Sequence, residues 1–167
     1  MRSTVSLSLV GFQGGTAIAQ ALFGDYNPGG KLTYTLYSAD YTNQVDMRNM
    51  DFSLAPGRSY RWYTGKPMLG FGYGLSYTTF KLTHGKQAQA FETPQFATEA
   101  APSWSQQYSV TVTNTGARHG DEVVQAYMTP PATAPTSSGG LPMLRQLFGF
   151  ERVSLRRGPS VILPLPQ

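Results

Sequence analysis

The sequence predicts a mixed fold in two parts, an α/β segment followed by a β-sandwich. Three observations carry the prediction. A short apolar run over residues 5–10 gives way to glycines at 11, 14 and 15 and then to a helical period, the strand, turn and helix order of one α/β unit. From Tyr108 the period falls to two and persists through four short runs with turn residues between them, as in a sandwich of short strands. Between the two parts lies a stretch that fits neither period. Residues 57–80 interleave Tyr60, Trp62, Tyr63, Phe71, Tyr73, Tyr77 and Phe80 with Gly65, Gly70, Gly72 and Gly74.

Composition bounds what such a chain can do. Its 167 residues suffice for one ordinary domain or two small ones. Charged residues are only 13 %, below the usual quarter or so, which excludes a charge-driven disordered chain. The net charge is +4, yet the Lys and Arg residues are scattered. Arg156-Arg157 is too short for the basic stripe of a nucleic-acid binder, so no nucleic-acid partner is expected. There is no cysteine, which excludes disulfide scaffolds and thiolate metal sites. No apolar run reaches the roughly 18 residues of a membrane span. Residues 1–10 are broken by serines and followed by no cleavage pattern, so they read as a buried strand rather than a signal peptide.

In chain order, the helix is expected over residues 16–23. Ile18, Ala21 and Leu22 share a face there, Thr16 is the expected N-cap, and Gly24 stops it. Residues 25–30 form a turn cluster. Residues 31–37 alternate, with Leu32, Tyr34 and Leu36 on one face, and predict the next strand. The glycines at 11, 14 and 15 do not have dinucleotide spacing and no Lys-Ser/Thr follows. Those at 70, 72 and 74 fail too, since Leu75 stands where the third glycine would be, so no nucleotide cofactor is expected. The aromatic stretch predicts a compact irregular loop, because glycines admit close backbone approaches and rings bury large areas. It should end in a strand near residues 76–83.

Residues 86–105, rich in Ala, Gln, Thr and Pro, read as a linker or long loop. The expected boundaries are therefore 1–80 for the α/β part, 81–107 for the linker and 108–167 for the β-sandwich. In the latter, Tyr108, Val110 and Val112 alternate with Ser109, Thr111 and Thr113 before the turn at residues 114–116. A second strand is expected over 122–129, with Val124, Ala126 and Met128 on one face and Val123, Gln125 and Tyr127 on the other. Residues 130–142 read as a loop, and residues 146–155 and 160–165 as two more strands.

Residues 57–65 followed by Phe71-Gly-Tyr-Gly-Leu-Ser-Tyr-Thr-Thr-Phe80 resemble the C-terminal half of glycoside hydrolase family 3 enzymes, specifically their β-xylosidase branch, as does Met47-Arg-Asn-Met50. Gly14-Gly-Thr-Ala-Ile-Ala19 with residues 22–32 resembles the last strand-helix-strand unit of that family's second domain, an α/β sandwich. Asn114-Thr-Gly116, residues 120–127 and residues 147–153 resemble the fibronectin type III-like (immunoglobulin-like) domain that closes many of these enzymes. In that pattern further strands follow, so the resemblance implies a sandwich short of its last strands, with an open edge.

The resemblance implies a retaining glycosidase acting on terminal β-linked xylose, or glucose or arabinose, outside the cell. Retention takes two carboxyl groups about 5–5.5 Å apart. In the family the nucleophilic aspartate lies in an N-terminal barrel and the acid/base glutamate earlier in the sandwich domain. No residue here matches either, so no catalytic residue is assigned, and the catalytic domains are the partners this chain would need. Among the carboxylates present, Asp25 sits in a turn, adjacent Asp121 and Glu122 would point to opposite faces of a strand, and Asp40, Asp46 and Asp51 share a loop. His84 and His119 have no third ligand in view, so no metal is expected.

Sugar contact is the remaining chemistry. Tyr60, Trp62 and Tyr63 can stack on a pyranose face while Arg58 or Arg61 bonds hydroxyls. The other reading of these residues is that they pack a junction between the two parts. Two functions follow: a non-catalytic C-terminal portion of a family 3 enzyme, or a free-standing carbohydrate-binding or adhesion module. Buried rings and unpaired strand edges would favour the first, and exposed rings on a complete fold the second.

Overall fold

The computed structural model of the chain describes residues 11–85, 108–131, 136 and 140–165. The predicted strand at 5–10 and most of the predicted linker lie outside the described residues.

The helix α1 spans Gly14–Phe23, starting two residues before the expected position. Its N-cap is Gln13 rather than Thr16, and no side chain bonds the first turn. A tight turn does that work: the Gly14 N–H donates to the Gly11 carbonyl at 2.9 Å, and Ala17 N–H reaches Gln13 O at 3.0 Å. Thr16 thus falls inside the first turn. Gly24 ends the helix in the left-handed region, φ 82°, with its N–H on Gln20 O, the glycine stop that a Cβ would oppose. Of the expected apolar face, Ala21 is buried while Leu22 is exposed.

Residues 31–37 do not form a strand. They make one isolated bridge, Leu36 with Leu69, and a second contact in which Leu32 N–H donates to Tyr73 O and Gly72 N–H to Leu32 O. The partner segment explains this. Gly72 has φ 79°, which takes the chain out of the extended region, so only the two ends of the pairing close. A 3₁₀ turn, Ala39–Asn43, follows. The aromatic stretch contains a four-residue helix, α2, at Ser59–Trp62, where a loop throughout was expected. Strand β1 covers Phe80–His84, starting later than predicted. Asn27 holds the preceding residues in a turn by accepting from Tyr77 N–H and donating to Ser76 Oγ.

The remaining strands lie close to the expected positions: β2 at Tyr108–Asn114, β3 at Gly120–Met128, β4 at Gln146–Leu155 and β5 at Ser160–Leu165. They form a three-stranded antiparallel sheet in the order β1-β2-β5 and a two-stranded antiparallel sheet of β3 and β4. The sheets face each other across a core of Val110, Val112, Val124, Leu155 and Leu163, with Phe80, Val153 and Val161 packed against it. Each such side chain contributes about 1.5–3 kcal/mol when fully buried. Tyr108 and Met128, at strand ends, share the predicted inner faces but stay exposed. The β3–β4 register shifts by one residue at Ala126/Tyr127, where Tyr127 faces Leu147 but Ala126 faces Gly149. Phe148 is the extra residue of this bulge, and a bulge re-aims neighbouring side chains.

Candidate functional site

The site is built around α2, and Gly57 makes the approach to it. Gly57 has φ 86°, and a Cβ there would overlap the Trp62 carbonyl. Only glycine lets the chain fold back on itself so closely. Tyr41 secures the turn by donating its hydroxyl to Gly57 O at 2.8 Å. Ser59 follows with φ 58°, a costly conformation for a residue with a side chain. It is held by donation of its N–H to the Tyr37 hydroxyl at 2.6 Å.

Five side chains were singled out from the sequence, and α2 gathers them. Arg58 donates to Asp46 O at 2.6 Å and lies 5.5 Å over the Phe52 ring. Tyr60 stacks on Phe71 with centroids 4.3 Å apart and meets Tyr127 edge-on at 5.9 Å. Its hydroxyl accepts the Leu147 N–H at 3.2 Å. Tyr63 turns the other way, edge-on to Tyr37 at 4.8 Å and to Tyr41 at 5.4 Å, and those two rings stack at 4.0 Å. Two ring clusters therefore flank α2. Arg61 and Trp62 sit between them, with the guanidinium 6.0 Å from the Tyr60 ring and 5.9 Å from the Trp62 ring. Among the described residues Trp62 stacks on no other ring, and it is half-buried.

Charge and burial set the hydroxyls apart. Burial pushes the Tyr60 hydroxyl up, but the Leu147 N–H and the Arg61 and Arg145 guanidiniums outweigh it and hold its pKa below the ordinary value. Burial raises Tyr41, with Tyr37 adding to the effect. Burial also raises Tyr127 against the opposing charge of Arg145, whose guanidinium lies 4.8 Å over the Tyr127 ring. The Tyr41 and Tyr127 hydroxyls, raised above the ordinary tyrosine value of about 10, are neutral donors and acceptors at physiological pH.

Several partners of this site are not visible in local sequence. Tyr37, Tyr41, Phe71 and Tyr127 supply the rings that engage Tyr60 and Tyr63. Tyr127 carried one usable signal, an aromatic on the strand face opposite Val124 and Ala126. The backbone of residues 141–147 carried none.

A second polar cluster lies at the far end of β3. Ser154 Oγ donates to Asp121 Oδ1 at 2.6 Å and so accepts from His119 Nε2 at 3.0 Å, while Arg152 Nε donates to Asp121 at 2.9 Å. In a nucleophilic triad the imidazole takes the serine proton. Here the carboxylate holds it and the imidazole is a donor, so the cluster is an ion-paired brace. Ser154 and then Arg152 draw the Asp121 pKa below the usual carboxylate range against the opposing effect of burial. Among the described residues no group of three His, Asp or Glu side chains converges to hold a metal. No helix there is long and apolar enough to cross a membrane.

Residues 1–77 match the family described as Glycosyl hydrolase family 3 C-terminal domain. The chain is 38 % identical over 150 residues to a xylan 1,4-β-xylosidase of Xylanibacter ruminicola, covering 90 % of this chain and 15 % of that protein. It is 40 % identical over 168 residues to a probable β-glucosidase J of Aspergillus fumigatus, covering 93 % and 19 %. The fold superposes on a GH3 exo-β-xylosidase solved with a xylobiose aziridine probe, with TM-score 0.76 and 31 % identity over 93 % of this chain and 22 % of that one. The chain thus spans about a fifth or less of the length of these relatives. On these likenesses the chain belongs to glycoside hydrolase family 3 and corresponds to the C-terminal region of its β-xylosidases and β-glucosidases.

Proposed function

We propose that this chain is the non-catalytic C-terminal portion of an extracellular retaining glycosidase that removes terminal β-linked xylose, with glucose or arabinose as the neighbouring specificities. The observation that carries the reading is the superposition of 93 % of the chain on an exo-β-xylosidase with TM-score 0.76. On this reading residues 1–80 are the tail of the enzyme's α/β sandwich, 81–107 the linker except that residues 81–84 belong to β1 of the sandwich sheet, and 108–167 a fibronectin type III-like sandwich. The catalytic carboxylates belong to the preceding domains, which are the chain's partners.

Within that role, α2 and its flanking rings form part of the rim of the sugar site. Arg61 and Trp62, the pair between the two clusters, are the sugar-facing residues: a half-buried indole offers a stacking face and the guanidinium offers donors to hydroxyls. Arg58, Tyr60 and Tyr63 act in the same rim by holding the pair, since Tyr60 already stacks one face on Phe71 and Tyr63 is engaged perpendicular to Tyr37 and Tyr41. Two measurements test this. The purified chain incubated with p-nitrophenyl β-D-xyloside is expected to release no more nitrophenol than a heat-inactivated control. Release above that control would sink the non-catalytic reading. Xylobiose is expected to shift Trp62 emission in a Trp104→Phe background, and a flat titration would remove Arg61 and Trp62 from the rim.

A further inference from the structure

Besides Tyr37, Tyr41 and Asp46 in the surrounding chain, residues of the β-sandwich also hold α2. Residues 141–147 run from the loop after β3 into the start of β4 and make three long-range bonds, one to Ser53 ahead of the aromatic segment and two within that segment. Leu141 N–H donates to Ser53 O at 2.7 Å, Leu144 N–H to Arg61 O at 2.6 Å, and Leu147 N–H to the Tyr60 hydroxyl at 3.2 Å. Their spacing of three residues spreads the contacts along an extended strap. Pro142 favours that shape by restricting Leu141 to extended backbone. The strap's far end is anchored by side chains: Arg145 lies over Tyr127 at 4.8 Å, and Tyr127 meets the ring of Tyr60. The β3–β4 bulge falls at this place, between Ala126 and Tyr127, and turns the ladder so that Tyr127 and Leu147 both reach Tyr60.

We propose that the strap at residues 141–147 is the positioning element for Arg61 and Trp62, so that the β-sandwich sets where the sugar-facing pair stands. This deepens the rim assignment above and rests on it for its functional meaning. The bond to Arg61 O carries the most weight, because it acts on the residue itself. The Leu147 bond acts through Tyr60, whose ring the Arg61 guanidinium covers. The strap therefore gives the sandwich a route to the site that needs no side chain in contact with sugar.

The test uses the full chain with Trp104→Phe, leaving Trp62 as its single tryptophan, and compares Leu144→Pro with Leu144→Ala. Both remove the leucine side chain, and only proline removes the N–H donor. Iodide quenching of Trp62 and amide exchange at Arg61 and Trp62 are read together with exchange in β2 and β5. Leu144→Pro is expected to speed exchange at Arg61 and Trp62 by about fivefold, the order expected for one lost net hydrogen bond. It should raise Trp62 quenching and leave β2 and β5 protected, while Leu144→Ala changes none of these. Unchanged quenching and exchange in Leu144→Pro overturn the proposal.

If Leu144→Pro loses β2 and β5 protection, Tyr60→Phe decides. It keeps the ring and removes the acceptor for Leu147, and it is expected to speed Leu147 exchange and raise Trp62 quenching. An unmoved Trp62 would overturn the proposal there too. The sugar reading fails separately. A chain whose Trp62 responds to the strap variants but not to xylobiose keeps the strap's positioning role and loses the rim assignment.

Discussion

Asp121 shows how one side chain can be read at the residue scale. Its neighbour Glu122 was expected to point the other way along a strand, and the two do serve different partners. Asp121 takes Ser154 and Arg152, while Glu122 takes Lys31. Because Ser154 and Arg152 favour the charged form, the Asp121 pKa lies below its unfolded value of about 3.9. The contribution to stability is therefore fully present above that unfolded value and is lost as pH falls through the lowered one. Urea unfolding followed from about pH 5 to pH 3 should show the wild type losing stability more steeply than Asp121→Asn. Parallel slopes would mean that the brace does not couple to folding. Single-residue signals of this kind were partly legible: Gly24 as a helix stop was readable because only glycine suits a left-handed C-cap. Thr16 as N-cap was not, because the turn closed by Gly11 O bonds the helix start through the backbone.

At the scale of elements, the period-two runs fell where β2–β5 lie, since an alternating pattern with one buried face permits a single register. Residues 31–37 carried the same alternation and did not become a strand, because a strand needs a partner that stays extended and Gly72 does not. Asn114 ends β2 and joins more elements than its turn sequence suggested. It is 1 % exposed. It accepts from Thr78 Oγ1 and Gly116 N–H, and donates to Arg118 O and Leu155 O. It thereby ties the entry to β1, the end of β2, the turn before β3 and the end of β4. Asn114→Ala should cost about 2–4 kcal/mol by leaving several of these groups unpaired in the core. An unfolding midpoint within error of wild type would show that water replaces the amide there.

For the whole molecule, β1 carries the chain into the sandwich sheet, and the residues before β1 meet the sandwich through side chains and loops rather than a shared ladder. Lys31 Nζ meets Glu122 Oε1 at 2.9 Å, with the two side chains only 20 % and 13 % exposed. Gly29 packs so close to β3 that an added Cβ would lie 2.8 Å from Asp121 O. Half-buried pairs of this kind couple more strongly than surface ones. A double-mutant cycle of Lys31→Met and Glu122→Gln should give a coupling energy of about 1–3 kcal/mol, measured by urea unfolding. Additive effects would mean that the two parts dock through packing alone. The five residues singled out for sugar contact were legible as a group, since a run of rings and arginines stands out in any sequence. Which of their faces are taken was not.

Local spacing sufficed for the strands of the sandwich, the helix and its glycine stop, and the aromatic segment between the two parts. Each of these depends on residues a few positions apart, where spacing alone dictates which side chains share a face or which backbone angle is allowed. Long-range contacts put Tyr60 and Tyr63 in opposite ring clusters, leave residues 31–37 without a continuous partner, and bond Leu144 N–H to Arg61 O. Those outcomes rest on bonds between residues up to 88 positions apart (Ser53 with Leu141). A backbone N–H carries no mark in the sequence of which carbonyl it will find.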